Sequence, residues 1–543
     1  MQGSWLVLVP PILVVVCAAV TRRVVLSLLL GIFSSLFIVH DFSLFKTIPA
    51  MVSKIWQTTE LGTVTSWHAF WQTWYLFICL FLILLGIITV MLQHSGGAYA
   101  YGNFISSRLK NAKQAQASSL ILSLFFFIDD YFSCLTVGSV MRPITDRFRI
   151  PRVKLALLVN SMAAPLVVLL PISSWAAYII MQIHQSGVFP TDQKGTVVIA
   201  DPFFVYTGMI PFLFYSIIAI FSLWFLVLRN ISYGILGRQE QIAADTGNLF
   251  GGKGPAVRQM MDVSADVIQR SSVWDFIVPI MILFIAVATS ILYFGGYHLL
   301  GGTHDLGYAL RHSNSAQALF VGSVVTLLIS FPFLIARKML AVRQIPRICL
   351  NGIRLLGPST MILILIWTLS SLLKNDLQTG QYLAQILVGK VDIALLPVMF
   401  FFVAALTAST MGSAWGTIGI HVPIAVPLLV SLAHIQTPVT PSGISMLFPL
   451  LGAIISGAVV GNHLAPISDT MLMSSTSSGA YHIDLVKTQY GFTIPTVIST
   501  ATAFLIAGFL TGVVSSTGTI IISLLVGLML NWTILSILSL RKK

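Results

Sequence analysis

Charged side chains are scarce in this chain of 543 residues. Asp, Glu, Lys and Arg make up 9% of it, whereas a soluble domain carries about 25%. Hydrophobic residues make up 56%, and many stretches reach the roughly 20 apolar residues that a helix needs to cross a bilayer. The composition excludes a soluble globular protein and predicts a polytopic membrane protein. Because Met1 to Trp5 carry no basic side chain, we expect the first apolar stretch to be a retained span.

Cysteine and the common catalytic motifs are equally sparse. The four cysteines are scattered through apolar stretches without a CxxC pair or a metal-binding spacing, so we expect them to be buried bystanders. No HExxH or GxSxG motif occurs, and Gly251–Gly254 lacks the Lys-Ser/Thr that completes a nucleotide-binding loop. The net charge of +13 is not arranged as basic runs interleaved with aromatics, which argues against nucleic acid as a partner. We therefore expect neither an enzyme nor a bound cofactor.

The basic residues that are present are distributed unevenly between the loops. With the N-terminus outside, 24 of the 30 lysines and arginines fall in inner loops, as the positive-inside rule requires. This bias predicts a periplasmic N-terminus and a cytoplasmic C-terminus in a bacterial inner membrane. The predicted spans lie near 4–20, 24–40, 74–93, 155–185, 203–228, 274–296, 316–336, 355–373, 445–478, 490–513 and 518–538.

Two neighbouring acids, Asp129 and Asp130, lie in a stretch that is otherwise apolar. Charges at membrane depth are rare and usually mark an ion or proton pathway. Because the stretch 117–141 has basic residues on both flanks, we predict a re-entrant hairpin there that enters from the cytoplasm. A second hairpin is predicted over 393–433, entering from the opposite face. Irregular backbone at membrane depth is tolerated only where it is buried in protein or lines a cavity, so the hairpin tips should face a cavity.

The two halves of the chain carry an ordered series of similar motifs. Phe125–Ile128 is echoed by Phe400–Val403, and Leu170–Ser174 by Ala465–Asp469. Each half then holds five spans and one hairpin, and because five is odd the second copy should be inverted, as in many secondary transporters. The predicted organisation is a first repeat over 1–228, a cytoplasmic linker over 229–273, an inverted second repeat over 274–513, and an extra C-terminal helix with a basic tail over 514–543.

Proline interrupts one long apolar stretch in each repeat, and a third acid follows the second interruption. Pro171 and Pro466 each remove a backbone donor and clash with the preceding turn. We therefore predict broken helices over 155–185 and 445–478. Their ends would expose carbonyls and half-helix dipoles, which suit a bare cation such as Na⁺, and Asp469 lies at the second break.

Five blocks of this sequence resemble the NhaC family of Na⁺/H⁺ antiporters. They are Phe127-Ile-Asp-Asp-Tyr-Phe-Ser-Cys-Leu-Thr-Val-Gly-Ser-Val-Met-Arg-Pro143, Pro171-Ile-Ser-Ser-Trp-Ala-Ala177, Gly412-Ser-Ala-Trp-Gly-Thr-Ile-Gly419, Gly461-Asn-His-Leu-Ala-Pro-Ile-Ser-Asp-Thr470, and His482-Ile-Asp484 with Lys487-Thr-Gln489. The resemblance implies Na⁺/H⁺ exchange and the two-hairpin fold of the ion-transporter superfamily, whose members often work as elevators and often form homodimers. The family also contains malate/lactate antiporters and suspected amino-acid carriers. One residue departs from the family pattern, because Asn462 stands where the family usually has aspartate.

The acids are the leading candidates for ion binding, each with a structural alternative. One of Asp129 and Asp130 is expected to carry the proton or to alternate it with Na⁺, unless the pair only caps a helix. Asp469 is expected to bind Na⁺ with Asp130, although it could also serve as the cap of the broken helix. His463 is either a pH-sensitive neighbour or a satisfied core histidine. The remaining candidates are polar residues near the hairpins and breaks: Asn462, Thr136, Ser173, Ser468, Thr470, Thr410 and Ser413.

Two functions remain open at the level of sequence. The first is a Na⁺/H⁺ antiporter that works by alternating access. The second is a Na⁺- or H⁺-coupled carrier of a small organic solute, such as a carboxylate or an amino acid. An organic anion would favour a persistent cation in the cavity, and Arg142 is the obvious candidate, unless its side chain extends to the cytoplasmic surface.

Overall fold

The computed structural model describes residues 5–540, apart from 22, 98–99, 101–107, 194, 255–269, 307, 310–312, 380–381, 383–384, 387–389 and 467. Part of the predicted linker, the basic tail at 541–543, and Arg22 and Arg311, two of the basic residues counted for the orientation, lie outside the described residues.

The first half of the chain is helical apart from one short pair of strands. Its helices are α1 (Val9–Thr21), α2 (Val24–Val39), α3 (Leu44–Thr58), α4 (Trp67–Gln72), α5 (Tyr75–His94), α6 (Ala112–Phe125), α7 (Asp130–Arg147), α8 (Arg152–Val167), α9 (Ser174–Gln185), α10 (Pro202–Met209), α11 (Phe214–Arg229) and α12 (Gly234–Thr246). Strands β1 (Val188–Phe189) and β2 (Val198–Ile199) pair in parallel between α9 and α10.

The second half, in its described residues, consists of helices and their connecting loops. Its helices are α13 (Trp274–Phe294), α14 (Ser315–Ala336), α15 (Ile345–Ser371), α16 (Leu396–Met411), α17 (Ala414–Leu432), α18 (Leu447–Leu464), α19 (Asp469–Ser478), α20 (His482–Leu510) and α21 (Ser516–Leu540). Helices α6 and α7 form a hairpin, as do α16 and α17, and each hairpin is followed by a broken helix, α8–α9 or α18–α19. The inversion of the second copy stays a prediction.

The membrane character of the chain follows from its helices. Ten segments of the described chain are at least 18 residues long and apolar enough to cross a bilayer. The predicted all-α, polytopic fold class is thereby confirmed. The structure differs from the predicted spans in two places. No span was predicted at α3, because lysines interrupt its apolar residues. The predicted span 203–228 is not one continuous helix, because it is interrupted at 210–213, where Pro211 lies.

Each hairpin tip and each helix break ends at a side-chain N-cap. The oxygens of Asp129, Ser173, Ser413 and Ser468 accept backbone N–H groups at the starts of α7, α9, α17 and α19. Such caps satisfy donors that have no partner within the helix. The sequence therefore restarts a helix after every interruption, and the capping residues Asp129, Ser173 and Ser468 are buried.

Helices α16 and α18 pack unusually closely through two glycines. A Cβ on Gly457 would lie 2.3 Å from the carbonyl oxygen of Phe401, and one on Gly461 would lie 2.5 Å from the carbonyl oxygen of Ala405. Only glycine allows this approach, and small residues are how membrane helices reach such contact. The first arm of the second hairpin is thus fixed against the second broken helix.

Candidate functional site

The four interruptions of the fold meet at one small cavity. The residues that line it come from both hairpin tips and both broken helices: Asp130, Tyr131, Trp175, Gly412, Ser413, Ala414, Trp415, Asn462, Asp469 and Thr470. Its volume of about 10 Å³ leaves room for roughly one water-sized sphere. Segments that are more than 300 residues apart in the sequence therefore share one polar pocket.

Asp129 joins the first hairpin to the first broken helix. The residue is buried, and its Oδ1 accepts the backbone N–H of Phe132 at 3.0 Å as the N-cap of α7. Its Oδ2 accepts the hydroxyl of Ser174 at 2.9 Å, while the Ser174 backbone N–H donates to the carbonyl of Ile128. Both oxygens of this carboxylate thus accept hydrogen bonds within the protein. Asp129 therefore serves as a helix cap, which is the structural alternative considered for this residue.

Asp130 occupies the first turn of α7 and faces the cavity. Its side chain is 1% exposed, and Oδ2 makes no hydrogen bond of ordinary geometry to a described residue. The indole of Trp175 is its polar neighbour across the cavity. A buried carboxylate oxygen without such a bond is costly unless another group, such as a cation or a proton, supplies the missing interaction.

Asp469 begins α19 on the opposite side of the cavity. Its Oδ2 accepts the hydroxyl of Tyr131 at 3.1 Å, so the residue that follows Asp130 holds the second acid of the cavity. The helix cap here is provided by Ser468, whose Oγ accepts the N–H of Met471. Because a serine performs the capping role, the Asp469 carboxylate remains available to the cavity.

Asn462 and Thr470 close the cavity beside Asp469. The Asn462 side-chain N–H donates to Thr470 Oγ1 at 3.2 Å, and Thr470 Oγ1 lies 3.4 Å from Ser468 Oγ. All three residues are buried. The amide of Asn462 therefore orients the hydroxyl of Thr470. A carboxylate at the same position would instead add a further negative charge to the cavity.

His463 lies behind the cavity in a separate buried network. Its Nδ1 is 2.8 Å from the hydroxyl of Tyr215. Nearby, the Gln489 side chain bonds to Asn160 at 3.1 Å and to Ser161 at 2.9 and 3.1 Å. The histidine is fully buried and does not line the cavity, so its position matches the core alternative, but its Nε2 makes no hydrogen bond of ordinary geometry to a described residue and the ring is only half satisfied.

The remaining hydroxyl candidates are divided between capping and lining positions. Ser413 caps α17 and lines the cavity, whereas Ser173 caps α9 behind the lining. Thr410 donates to the carbonyl of Thr407 at 2.8 Å. Thr136 is buried farther along α7, and its Oγ1 has no hydrogen-bond partner among the described residues.

Three aromatic residues in the cavity wall were not predicted as site residues. Trp175 and Trp415 face each other with ring centroids 5.7 Å apart, one from each half of the chain, and Tyr131 bridges to Asp469. One tryptophan follows Ser174 in the first half and the other follows Ala414 in the second half, and their presence inside the motif blocks was the available signal. Arg142, by contrast, is three turns from Asp130 on α7 and lies beside Gly479, outside the cavity wall.

The cavity offers oxygen ligands and no preformed metal cluster. No group of three or more His, Cys, Asp or Glu side chains is close enough to hold a metal ion within the described residues. The available oxygens are the carboxylates of Asp130 and Asp469 with the hydroxyls of Thr470 and Ser413. Such a set suits a weakly held, hard cation better than a tightly bound transition metal.

Comparisons with known proteins cover most of the chain. A sequence profile described as the Na⁺/H⁺ antiporter family matches residues 166–509, which include Asp469 but begin after the first hairpin. An uncharacterized protein of Haemophilus influenzae is 30% identical over 509 residues, which is 92% of this chain and 90% of that protein. The malate-2H⁺/Na⁺-lactate antiporter of Bacillus subtilis is 30% identical over 121 residues, 21% of this chain and 23% of that protein.

Two solved transporter structures share a general similarity of shape. The Alcanivorax borkumensis YdaH transporter is 12% identical with a TM-score of 0.47, and the match covers 85% of this chain and 87% of that one. Neisseria gonorrhoeae MtrF, described as one of a class of antimetabolite efflux pumps, is 15% identical with a TM-score of 0.44, and the match covers 87% and 86%.

Proposed function

This chain belongs to the Na⁺/H⁺ antiporter family and is a multi-pass secondary transporter, and we propose that it exchanges Na⁺ for H⁺ by alternating access. The proposed exchange site is the cavity where the four helix interruptions meet. The observation that carries the proposal is Asp130, a buried carboxylate with one oxygen lacking a regular hydrogen bond at that cavity.

The chemistry of the cavity suits competition between Na⁺ and H⁺. A Na⁺ ion would be held by oxygens of Asp130 and Asp469, helped by the hydroxyls of Thr470 and Ser413. A proton on either carboxylate removes the negative charge that attracts the cation. The two ions therefore exclude each other from one pair of acids, which is the coupling that an antiporter needs.

The size of the cavity favours an inorganic ion over an organic solute. With room for roughly one water-sized sphere, it fits a bare cation and excludes a molecule of several carbon atoms. No lysine or arginine is among its lining residues, so a carboxylate substrate would meet two acids without a cationic partner. Both features support ion exchange in the conformation described.

The alternative is coupled transport of a small organic solute, and one comparison favours it. The Bacillus subtilis relative is a malate-2H⁺/Na⁺-lactate antiporter, although the similarity covers only 21% of this chain. In this alternative the acids would still bind the coupling ion, and a second cavity would have to accept the solute.

The surroundings of the transporter form part of the same proposal. We place the chain in a bacterial inner membrane with a periplasmic N-terminus and a cytoplasmic C-terminus, because the basic residues favour that orientation. We also expect a homodimer, as implied by the family resemblance. Cysteine accessibility on either side of the membrane and the mass of the purified complex test these two points.

The exchange itself is tested in proteoliposomes that contain a pH-sensitive dye. A pH gradient is imposed, and Na⁺, Li⁺ or K⁺ is added to the native protein, to Asp130→Asn, and to Asp245→Asn as a control at an exposed acid of α12. We expect Na⁺ to collapse the gradient with the native protein and the control, and not with Asp130→Asn. A gradient that no cation collapses, but that malate, lactate or an amino acid does, would establish the alternative instead.

A further inference from the structure

A second and much larger cavity lies beside the second half of α17, a helix that begins at the exchange cavity. Its volume is about 570 Å³, within the range of small-molecule sites. It is bordered by the second half of α17, by the loop that leads into β2, and by the segment that follows α15, and we call it the vestibule. The residues that line it are Gly195, Thr196, Val197, Leu373, Lys374, Asn375, Gln378, Pro423, Ile424, Pro427 and Thr437.

The vestibule contains a partly buried cation without an acidic partner. Lys374 forms no ion pair with any carboxylate in the described part of the chain. The other described lysines that are not exposed, Lys54 and Lys154, each pair with an acid, namely Asp376 and Glu240. A cation held away from bulk water in this way favours an anion beside it.

The backbone around Lys374 holds its ammonium group in place. The residue lies in a π-helix, Leu372–Asp376. This geometry is rare in proteins, and where it occurs it is often found at functional sites. Its Nζ lies 5.7 Å from the centroid of the Phe189 ring. A Cβ on Gly187, which has a φ of +101°, would lie 2.9 Å from Nζ, so glycine allows the approach of the ammonium group.

The rest of the lining matches a ligand with one charged end and a short carbon skeleton. The amides of Asn375 and Gln378 and the hydroxyl of Thr437 are hydrogen-bond donors around the cavity, whereas the hydroxyl of Thr196 donates to the carbonyl of Gln193 at 2.8 Å. Pro423, Ile424, Pro427 and Leu373 form an apolar wall beside them. The carboxylate of nearby Asp376 accepts from Lys54 at 3.3 Å.

We propose that the vestibule binds a small organic carboxylate, with Lys374 as the residue that contacts its charged end. The inference does not depend on which ion the central cavity exchanges, because no lining residue is shared between the two cavities. The bound carboxylate would lie beside the second half of α17, the helix that carries Ser413 and Trp415 at its start. It is thus placed to act as a transported solute or as an effector of that helix.

The test is a ligand-dependent shift in the melting temperature of the purified full chain. Lactate, malate and chloride are titrated as N-methylglucamine salts at equal ionic strength, in the absence of Na⁺. Specific binding gives a saturable rise, whereas a general salt effect does not saturate. The variants are Lys374→Gln, Lys374→Arg and, as a control at an exposed lysine, Lys46→Gln.

We expect lactate or malate to give a saturable rise that weakens about tenfold or more in half-saturating concentration in Lys374→Gln. Lys374→Arg, which keeps the charge, and Lys46→Gln should keep the response. An equal, saturable response to chloride would overturn the assignment to carboxylates and leave an unselective anion site. No saturable response, or one that Lys374→Gln leaves unchanged, would overturn the site and leave Lys374 as a cation packed near the Phe189 ring.

Discussion

Tyr131 donates its hydroxyl hydrogen to Asp469 at 3.1 Å, across 338 residues of sequence. This bond joins the tip of the first hairpin to the start of the second half of a broken helix. It also places an aromatic hydroxyl between the two acids of the cavity, because Tyr131 directly follows Asp130. The first prediction concerns this bond.

Replacement of Tyr131 by phenylalanine should weaken Na⁺ binding without unfolding the protein. The Asp469 carboxylate would lose a bond that fixes its orientation, and a hydrogen bond to a charged group is worth about 1.5–3 kcal/mol. We expect the half-saturating Na⁺ concentration of exchange to rise about tenfold. The matched control is Tyr293→Phe at an exposed tyrosine of α13, and an unchanged Na⁺ dependence in Tyr131→Phe would remove the bond from the proposed mechanism.

Substitutions at Asp129 and Asp130 should separate stability from exchange. Asp129→Ala removes the N-cap of α7 and the bond to Ser174, and should lower stability by about 1 kcal/mol or more. Asp130→Asn removes a charge whose Oδ2 has no regular hydrogen bond, so stability should stay the same or rise while exchange is lost. Melting temperature and proteoliposome exchange measure the two effects, and active Asp130→Asn beside inactive but stable Asp129→Asn would reverse the assignment.

Asn462→Asp should strengthen cation binding at the cavity. A carboxylate at this position replaces the amide that donates to Thr470, and adds a negative charge near Asp469. An opposite charge favours a bound cation, so we expect the half-saturating Na⁺ concentration to fall at alkaline pH. Asn462→Ala serves as the control for the lost amide; equal behaviour of the two variants would mean that the added charge does not reach the ion.

The partly buried ion pair between α8 and α12 should contribute to stability. Lys154 at the start of α8 pairs with Glu240 of α12, and its side chain is 2% exposed against 24% for Glu240. Glu240→Gln leaves the buried lysine without a counter-charge and should cost roughly 2–3 kcal/mol, less than a fully buried pair. The double variant Lys154→Met with Glu240→Gln should recover most of the loss; thermal unfolding that fails to recover would show that packing, not charge, dominates there.

Glu60, in the loop between α3 and α4, should make stability depend on pH. Its Oε2 accepts the backbone N–H groups of Trp74 and Tyr75 at 2.7 and 2.8 Å, and its burial raises the pKa above the ordinary value of 4.5. The folded protein then holds this proton more tightly than the unfolded chain, so stability falls as pH rises from the ordinary pKa through the raised one. In Glu60→Gln this contribution to the pH dependence of the melting temperature should disappear, and identical profiles for both proteins would contradict the prediction.

The sequence predicted where helices are interrupted, because each interruption coincides with residues that are unusual in an apolar stretch. Acids in an apolar stretch, prolines inside a long hydrophobic run, and repeated motifs indicated the hairpins and broken helices. The family resemblance is confirmed by the profile match over residues 166–509. The helices extend beyond some predicted edges, as α20 does by beginning at His482, because polar residues in its first turns are buried against neighbouring helices.

The roles within the site could not be predicted in the same way. Asp129 and Asp130 are adjacent and chemically identical, and only the start of α7 decides that the first caps the helix while the second faces the cavity. Ser173 and Ser468 carry hydroxyls that the sequence could assign to ion binding, but both cap helices. The part that Tyr131 plays depends on a contact with Asp469, which no local pattern contains.

The close packing at Gly457 and Gly461 restricts the mechanics of the transporter. If α18 slid by one residue along α16, a side chain would meet the carbonyl oxygen of Phe401 or Ala405, where a Cβ has only 2.3–2.5 Å. These two helices must therefore travel as a single rigid body. Cross-linking α16 to α18 would therefore leave turnover intact. Any movement that opens the cavity has to take place between other helices.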